Sequence, residues 1–192
     1  EIHDILKKYW GYDSFRPLQE DIIASVLSGH DTLGLLPTGG GKSITFQVPA
    51  IALGGLCIVV TPLISLMKDQ IDHLIARGVK AASVFMGMTH QEVLETYERV
   101  ISQNYQFLYL SPERLETQLF QAKLQYMDVR LLVVDEAHGA LWNFSDKMPI
   151  SALQLGADVV VHSMHKTGGS FSQSSVLSLS KTSKISAEVM EN

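Results

Sequence analysis

The sequence predicts an α/β fold, with a mostly parallel sheet and helices on both of its faces. Apolar runs typical of buried strands alternate along the chain with segments of helical periodicity, as a parallel sheet requires. A glycine-rich turn joins the first such run to the following helix. A later run, residues 131–134, ends in Asp135 and Glu136, at the strand end where open α/β sheets bind ligands.

Each predicted element follows from a local pattern. Strands are expected where apolar residues run together, and helices where they recur every third or fourth position. The pairs Thr61-Pro62 and Ser111-Pro112 are typical of helix starts, with the hydroxyl residue as cap and proline in the first turn. Strands are predicted at 31–36, 56–60, 81–85, 106–110, 130–134, 157–162 and 176–179, and helices at 1–9, 18–28, 42–53, 61–77, 90–102, from 112 onward and within 139–154, followed by a polar tail at 180–192.

Composition and charge narrow the class of protein. The 192 residues carry 46% apolar and 18% charged side chains, which is typical of a globular protein. With a net charge of −5, any nucleic-acid contact must be local. Cys57 is the only cysteine, which excludes a disulfide framework and a multi-cysteine zinc site. No apolar run is long enough to span a membrane, so we expect a cytoplasmic location and no membrane partner.

The turn between Pro37 and Ser43 has the form that wraps nucleotide phosphates. Its glycines let backbone N–H groups turn inward, and the following helix points its positive end at the same place. Lys42 is expected to reach the terminal phosphates of ATP, and the Ser43 hydroxyl to hold Mg²⁺. An ordinary glycine-rich turn is the alternative, and Leu36 stands where the strict pattern has glycine. The residues expected at the phosphates are Thr38, Gly39, Gly40, Gly41, Lys42 and Ser43.

Asp135 and Glu136 form the second half of the predicted site. Asp135 is expected to hold Mg²⁺, and Glu136 to orient and deprotonate the attacking water. Helix N-termini also favour acids, so the pair alone is a weak signal. Paired with the glycine-rich loop and Lys42, it predicts a centre for ATP hydrolysis.

Residues 1–138 closely resemble the first motor domain of RecQ-family DNA helicases. The matching segments, in order, are residues 11–19, 37–43, 61–70, 111–115 and 135–138. The resemblance implies a RecA-like P-loop NTPase fold, an ATP and Mg²⁺ site, and hydrolase activity in DNA repair and recombination. It also implies binding of single-stranded or partly duplex DNA.

The resemblance assigns side chains to adenine and to DNA. Gln19 offers a donor and an acceptor to the N6 and N7 edge of adenine, and Tyr12 and Arg16 are suited to stack on its faces. Packing of Tyr12, Phe15 and Arg16 against the first helix is the alternative. The helix starts at Thr61 and Ser111 would present N–H groups to DNA phosphates, with plain helix capping as the alternative. The residues expected at the DNA are Thr61, Pro62, Ser65, Lys68, Ser111 and Arg114.

After Asp-Glu-Ala-His the resemblance changes. Residues 131–192 are similar to the pyridoxal-phosphate-dependent ornithine, lysine and arginine decarboxylases, through segments 135–140, 151–153, 156–158, 163–167 and 173–177. In that family the lysine matching Lys166 forms the Schiff base, and the aspartate matching Asp135 pairs with the pyridinium nitrogen. Ser163 and His165 match residues near the cofactor phosphate.

The overlap at Val-Asp-Glu-Ala-His points to a chimera. We expect a helicase ATP-binding domain over 1–138 and a decarboxylase-like segment over 139–192 that completes the sheet or is appended to it. The chain is then a helicase motor domain, a decarboxylase fragment centred on Lys166, or an inactive chimera, and the number of ordered motifs favours the first. Since the arginine finger belongs to a second motor domain, slow hydrolysis and no unwinding are expected from these residues alone. Lys166 is not expected to hold pyridoxal phosphate, because the upstream sequence is helicase-like.

Overall fold

The computed structural model of the chain describes residues 1–28, 34–37, 41–136, 159–163 and 174–179. All seven predicted strands are present, and helices alternate with them as predicted. The predictions for 139–154 and 180–192 lie outside the described residues. The helices are α1 (Ile2–Trp10), α2 (Gln19–Leu27), α3 (Lys42–Leu53), α4 (Ile64–Ala76), α5 (His90–Ser102) and α6 (Gln118–Leu124), and the strands are β1 (Gly34–Pro37), β2 (Leu56–Val60), β3 (Ala81–Val84), β4 (Phe107–Leu110), β5 (Val129–Glu136), β6 (Val159–Ser163) and β7 (Ser174–Leu179).

The chain forms two compact units. The first contains Glu1–Ala52 and Val133–Asn192, and the second contains Leu53–Leu132. None of the described helices has the length and apolarity that crossing a membrane requires.

In the first unit the strands lie in the order β1, β7, β6, β5. β5 and β6 are parallel, with Asp135 opposite Val161, whereas β7 is antiparallel to both β6 and β1. Two successive antiparallel steps restore the strand direction, so β1 and β5 point the same way. Their carboxyl ends therefore lie at one edge of this sheet. The segment after residue 138 thus supplies two strands, β6 and β7, to the sheet of the first unit.

A small apolar core joins the first three helices. Leu6, Ile23 and Val48, from α1, α2 and α3 in turn, are almost completely buried together with Ile44. Between α1 and α2, the His3 Nε2 atom lies 2.6 Å from a carboxylate oxygen of Glu20. This packing fixes the start of α2 and the start of α3 in the same unit.

The second unit is built on three parallel strands in the order β2, β4, β3. Every residue of β2 and β4 is buried, which explains their continuous apolar sequences. Because all three strands run the same way, their carboxyl ends at Val60, Leu110 and Val84 share one edge. After β3, α5 begins with a capping box, in which Thr89 and Glu92 bond each other's backbone N–H groups. These hydrogen bonds lower the pKa of the Glu92 carboxyl.

The helix start predicted at Thr61-Pro62 is wrong. α4 begins at Ile64, and the residue before it, Leu63, has an extended backbone with φ −97° and ψ 96°. The Thr61 hydroxyl accepts the Leu63 N–H at 3.4 Å in a local turn, so it does not cap the helix. The Thr61 N–H continues the sheet through a 3.0 Å bond to the Leu110 carbonyl.

A helical turn does start at Ser111-Pro112, as predicted, but it is short and the Ser111 hydroxyl does not cap it. Pro112–Arg114 forms a single 3₁₀ turn, and α6 begins only at Gln118. Thr117 caps α6, since its hydroxyl accepts the Phe120 N–H at 3.3 Å. As at Thr61, the sheet holds the residue before proline, because the Ser111 N–H donates to the Val84 carbonyl at 3.1 Å.

Gly54 and Gly55, between α3 and β2, provide a matched test of packing at this turn. Both have positive φ, +70° and +68°, so alanine is strained at either position. A Cβ on Gly55 would lie 2.8 Å from the Asp128 carbonyl oxygen, whereas nothing lies within 4 Å of one on Gly54. We expect Gly55→Ala to lower the free energy of unfolding by about 1–3 kcal/mol more than Gly54→Ala does. Urea unfolding of both variants measures the difference, and equal losses would contradict the packing described here.

Candidate functional site

The strand predicted before the phosphate loop and the helix predicted after it are both confirmed. β1 ends at Pro37 and α3 begins at Lys42, while the residues between them up to Gly40 lie outside the described part of the chain. Gly41 has a φ of +79°, and its carbonyl accepts the Ile44 N–H at 3.1 Å. Lys42 and Ser43 therefore form the first turn of a helix whose dipole favours phosphate at this end.

Gln19 ties the segment before α2 to the phosphate loop. Its side chain is 1% exposed. The amide oxygen accepts the Arg16 N–H at 2.9 Å, and the amide nitrogen donates to the Gly41 carbonyl at 3.1 Å. A Cβ on Gly41 would collide with that nitrogen. The residue predicted to recognise adenine thus also sets the backbone position of the last glycine in the loop.

Tyr12 and Arg16 lie in the same connection between α1 and α2. Both side chains are exposed, whereas Phe15 packs against the core of the first unit with its ring 5.1 Å from His3. The alternative of plain packing therefore holds for Phe15. Tyr12 and Arg16 present an aromatic ring and a guanidinium at the surface beside buried Gln19.

Asp135 and Glu136 are the last two residues of β5, so the strand is longer than predicted. Asp135 is half-buried and paired in register with Val161 of β6, and the Glu136 backbone is paired with His162. The Glu136 side chain lies outside what the structure describes. Both residues stand at the carboxyl end of the strand, as predicted.

The end of β1, which precedes the phosphate loop, and the end of β5, which carries Asp135 and Glu136, share one edge of the sheet in the first unit. β7 and β6 stand between β1 and β5, which separates these two strands by roughly 14 Å at ordinary strand spacing. The Ser43 hydroxyl and the Asp135 carboxylate are oxygen donors, which are the ligands that Mg²⁺ prefers. The donor atoms at this edge are therefore of the chemical kind that a nucleotide phosphate with its metal ion requires.

In the second unit, the predicted DNA-binding residues gather at the carboxyl edge of β2, β4 and β3. Thr61 follows β2 and Ser111 follows β4, and both residues are buried, with 3% of their surface exposed. The Ser111 hydroxyl has no hydrogen-bond partner among the described residues. Pro62, Ser65 and Lys68 are exposed on the same segment. Since the Thr61 and Ser111 N–H groups are bonded to the sheet, side chains rather than these amides must contact a ligand here.

Arg114 reaches across this edge to the turn that follows β3. Its Nε and Nη2 atoms donate to the Phe85 carbonyl at 3.2 and 2.8 Å, and Nη2 also lies 3.3 Å from the Met88 carbonyl. Tyr97 lies near the same charge: burial raises the pKa of Tyr97 to about 12, an effect that Arg114 partly opposes. Arg114 thus fixes the backbone of a neighbouring turn.

The sequence analysis singled out no residue after β3, yet Phe85 lies at the centre of this surface. The Lys68 ammonium lies 5.0 Å from the centre of the Phe85 ring. The position of Phe85 could have been predicted from the order of the strands. Because β3 is parallel to β2 and β4, the residues after its carboxyl end must reach the same edge as Thr61 and Ser111.

A cavity of about 450 Å³ lies at the opposite, amino-terminal edge of these strands, beside Leu56, Gln106 and Asp128. Two of its polar side chains have partners: Gln106 accepts the Lys80 N–H, and Asp128 bonds Arg130. None of the predicted site residues lines it.

The α/β fold and the glycine loop are those of a RecA-like motor domain. The sequence profile of the DEAD/DEAH box helicases matches residues 16–169, and this chain belongs to that family. The match continues beyond residue 138 into the segment predicted to be decarboxylase-like, and it includes Lys166.

Among curated proteins, the chain is similar to helicases named RecS and RecQ. The chain is 44% identical over 142 residues to the probable ATP-dependent DNA helicase RecS of Bacillus subtilis. It is 41% identical over 134 residues to the ATP-dependent DNA helicase RecQ of Haemophilus influenzae. These matches cover 72% and 70% of the chain but 28% and 22% of the relatives. The chain therefore spans about a quarter of the length of the curated relatives it matches.

Solved helicase structures share the fold at low sequence identity. The DUF1998 helicase MrfA bound to DNA aligns with a TM-score of 0.56 at 17% identity, over 72% of this chain and 21% of its own. The helicase Lhr of Mycobacterium smegmatis, bound to ssDNA and AMP-PNP, aligns with a TM-score of 0.54 at 21% identity, over 69% and 20%. At these identities the likeness establishes the fold alone.

Proposed function

We propose that this chain is the ATP-binding motor domain of a RecQ-like DNA helicase, which binds Mg-ATP and single-stranded DNA. The observation that carries the proposal is the buried Gln19 amide, which holds the predicted adenine segment against Gly41 of the phosphate loop. This contact supports the proposal that base recognition and phosphate binding belong to one unit. An ordinary glycine-rich turn requires no such contact.

The nucleotide would lie along this connection. Backbone N–H groups of the loop from Thr38 to Gly41 would surround its phosphates, and Lys42 would neutralise the terminal ones. Tyr12 and Arg16 would stack on the base that Gln19 recognises.

Ser43 and Asp135 would hold Mg²⁺, which supplies charge stabilisation at the phosphates when bound. Glu136, the residue after Asp135 on β5, would orient the attacking water and accept its proton. Its position at the end of a strand gives it a rigid backbone.

Single-stranded or partly duplex DNA would bind the second unit at the shared carboxyl edge of its strands. Lys68 supplies the exposed charge, and the hydroxyl of Ser65 lies on the same helix. The buried Ser111 hydroxyl, which lacks a partner among the described residues, is a further candidate for a phosphate contact. With so few charges, binding should be weak, independent of sequence and shallow in its salt dependence. The full set in this proposal is Thr61, Pro62, Ser65, Lys68, Ser111 and Arg114.

The decarboxylase-like segment and the cytoplasmic location stay predictions. The helicase profile includes Lys166, which favours the helicase interpretation of residues 139–169 over a pyridoxal-phosphate site. His165 and Lys166 lie outside the described residues.

Calorimetric titration with ATP, in Mg²⁺ and in EDTA, tests the proposal. We expect Mg²⁺ to strengthen ATP binding to the wild type. In Asp135→Asn, this increase in ATP affinity should be smaller by about tenfold or more. Asp128→Asn is the matched control, because Asp128 precedes the other end of the same strand and is exposed. The proposal fails if ATP does not bind, or if both variants respond to Mg²⁺ as the wild type does.

A further inference from the structure

Phe85 makes three different contacts at the turn between β3 and α5. Its carbonyl oxygen accepts both donors of the Arg114 guanidinium, at 3.2 and 2.8 Å. Its N–H donates to the Met88 sulfur at 3.5 Å, which closes the turn on itself. Its ring lies beneath the Lys68 ammonium, 5.0 Å from ring centre to nitrogen. One residue therefore connects the two cations predicted to bind DNA.

The Arg114 contacts hold the turn from both of its ends. The guanidinium is a planar fork with fixed donor directions, and here it binds the carbonyls of Phe85 and Met88 together. Hydrogen bonds from a charged donor are stronger than neutral ones. Gly87, between them, has a φ of +100°, which keeps the turn tight. The Phe85 backbone is thus fixed, and its ring direction with it.

The ring in turn restricts Lys68. A lysine on an exposed helix face has a flexible four-carbon stem, and ordering it costs conformational entropy. An ammonium above an aromatic face is attracted by the ring quadrupole and remains in one region of space. The Lys68 charge is therefore placed at the sheet edge before any ligand arrives.

We propose that Phe85 is a positioning residue for DNA binding, with Arg114 fixing its backbone and its ring holding the Lys68 ammonium ready for a phosphate. The inference rests on the proposed DNA-binding function and adds a residue that acts through Lys68 without touching the DNA. Arg114 then serves the surface by holding the turn as well as by its charge.

A double-mutant cycle on the whole chain tests the inference, with fluorescence anisotropy of an end-labelled single-stranded oligothymidylate as readout. Phe85→Leu keeps an apolar side chain but removes the ring, and we expect it to weaken binding about two- to fivefold. Phe85→Tyr keeps the ring face and should bind as the wild type does. Lys68→Ala should weaken binding and reduce the salt slope by about one. In the Lys68→Ala background, Phe85→Leu should have no further effect.

Two outcomes separate the inference from the function on which it rests. No binding of the oligonucleotide by the wild type overturns both. Binding in which Phe85→Leu costs the same factor with and without Lys68 overturns the positioning role alone. Arg114→Lys is the second variant, since it keeps the charge but loses the fork. The loss of affinity in Arg114→Lys should also depend on Lys68. Melting curves of every variant check that the second unit is folded.

Discussion

Lys42→Ala is expected to abolish Mg-ATP binding by this chain. Lys42 is the first residue of α3 and follows the glycine whose carbonyl Gln19 holds. Its ammonium group would face the terminal phosphates, and charge-assisted hydrogen bonds of this kind contribute about 1.5–3 kcal/mol each. The loss of two such bonds corresponds to roughly a hundredfold or more in the dissociation constant. Isothermal titration calorimetry measures it directly.

Lys8→Ala is the matched control for that experiment. Lys8 is exposed on α1 in the same unit, so its removal changes the net charge equally without touching the phosphate loop. It should bind ATP with wild-type affinity. If Lys42→Ala retains that affinity as well, the loop is an ordinary turn and the proposed nucleotide site is wrong.

Gly41→Ala is expected to damage both stability and ATP binding. Its φ of +79° strains alanine by about 1–2 kcal/mol. The added Cβ would also displace the Gln19 amide nitrogen, which breaks its hydrogen bond to the Gly41 carbonyl. A buried amide left without its partner costs about 1–3 kcal/mol more. Urea unfolding gives the stability, and calorimetry gives the accompanying loss of ATP affinity.

Gly78→Ala isolates the backbone contribution. Gly78 has the same φ of +79°, but nothing lies within 4 Å of a Cβ at that position. It should cost the strain alone, so the difference between the two variants reports the Gln19 contact. In a Gln19→Ala background, where the collision is removed, Gly41→Ala should cost no more than Gly78→Ala does. A persistent difference would mean that Gln19 is not the cause.

The strands and helices could be predicted because burial produces a simple pattern of apolar residues in the sequence. β2 and β4 are buried on both faces and read as continuous apolar runs, so their limits were close to those observed. Around Lys42, the glycines and the order of strand and helix were equally clear from the sequence. Asp135 and Glu136 extended a strand beyond its apolar run, since backbone pairing with β6 does not depend on side-chain polarity.

Other features depend on partners that are distant in the sequence. The hydroxyl–proline pairs at Thr61 and Ser111 have the local chemistry of helix caps, yet α4 begins only at Ile64 and Ser111 is followed by a single 3₁₀ turn. Likewise, nothing in the sequence of β7 indicates that the strand runs antiparallel to its neighbours. The role of Gln19 and of Phe85 follows from single tertiary contacts, which no local periodicity records.

The position of β7 in the sheet affects how the chain folds during synthesis. Within the described strands, β1 is bonded to β7, with Gly34 opposite Leu177. Gly34 precedes Leu177 by 143 residues in the sequence, so β1 leaves the ribosome long before that neighbour exists. Pairings between such distant segments form slowly and leave the waiting strand exposed to wrong partners. The second unit, whose three strands lie within Leu53–Leu132, needs no such delay. The strand that precedes the phosphate loop is thus paired only after β7, far later in the sequence, has been made.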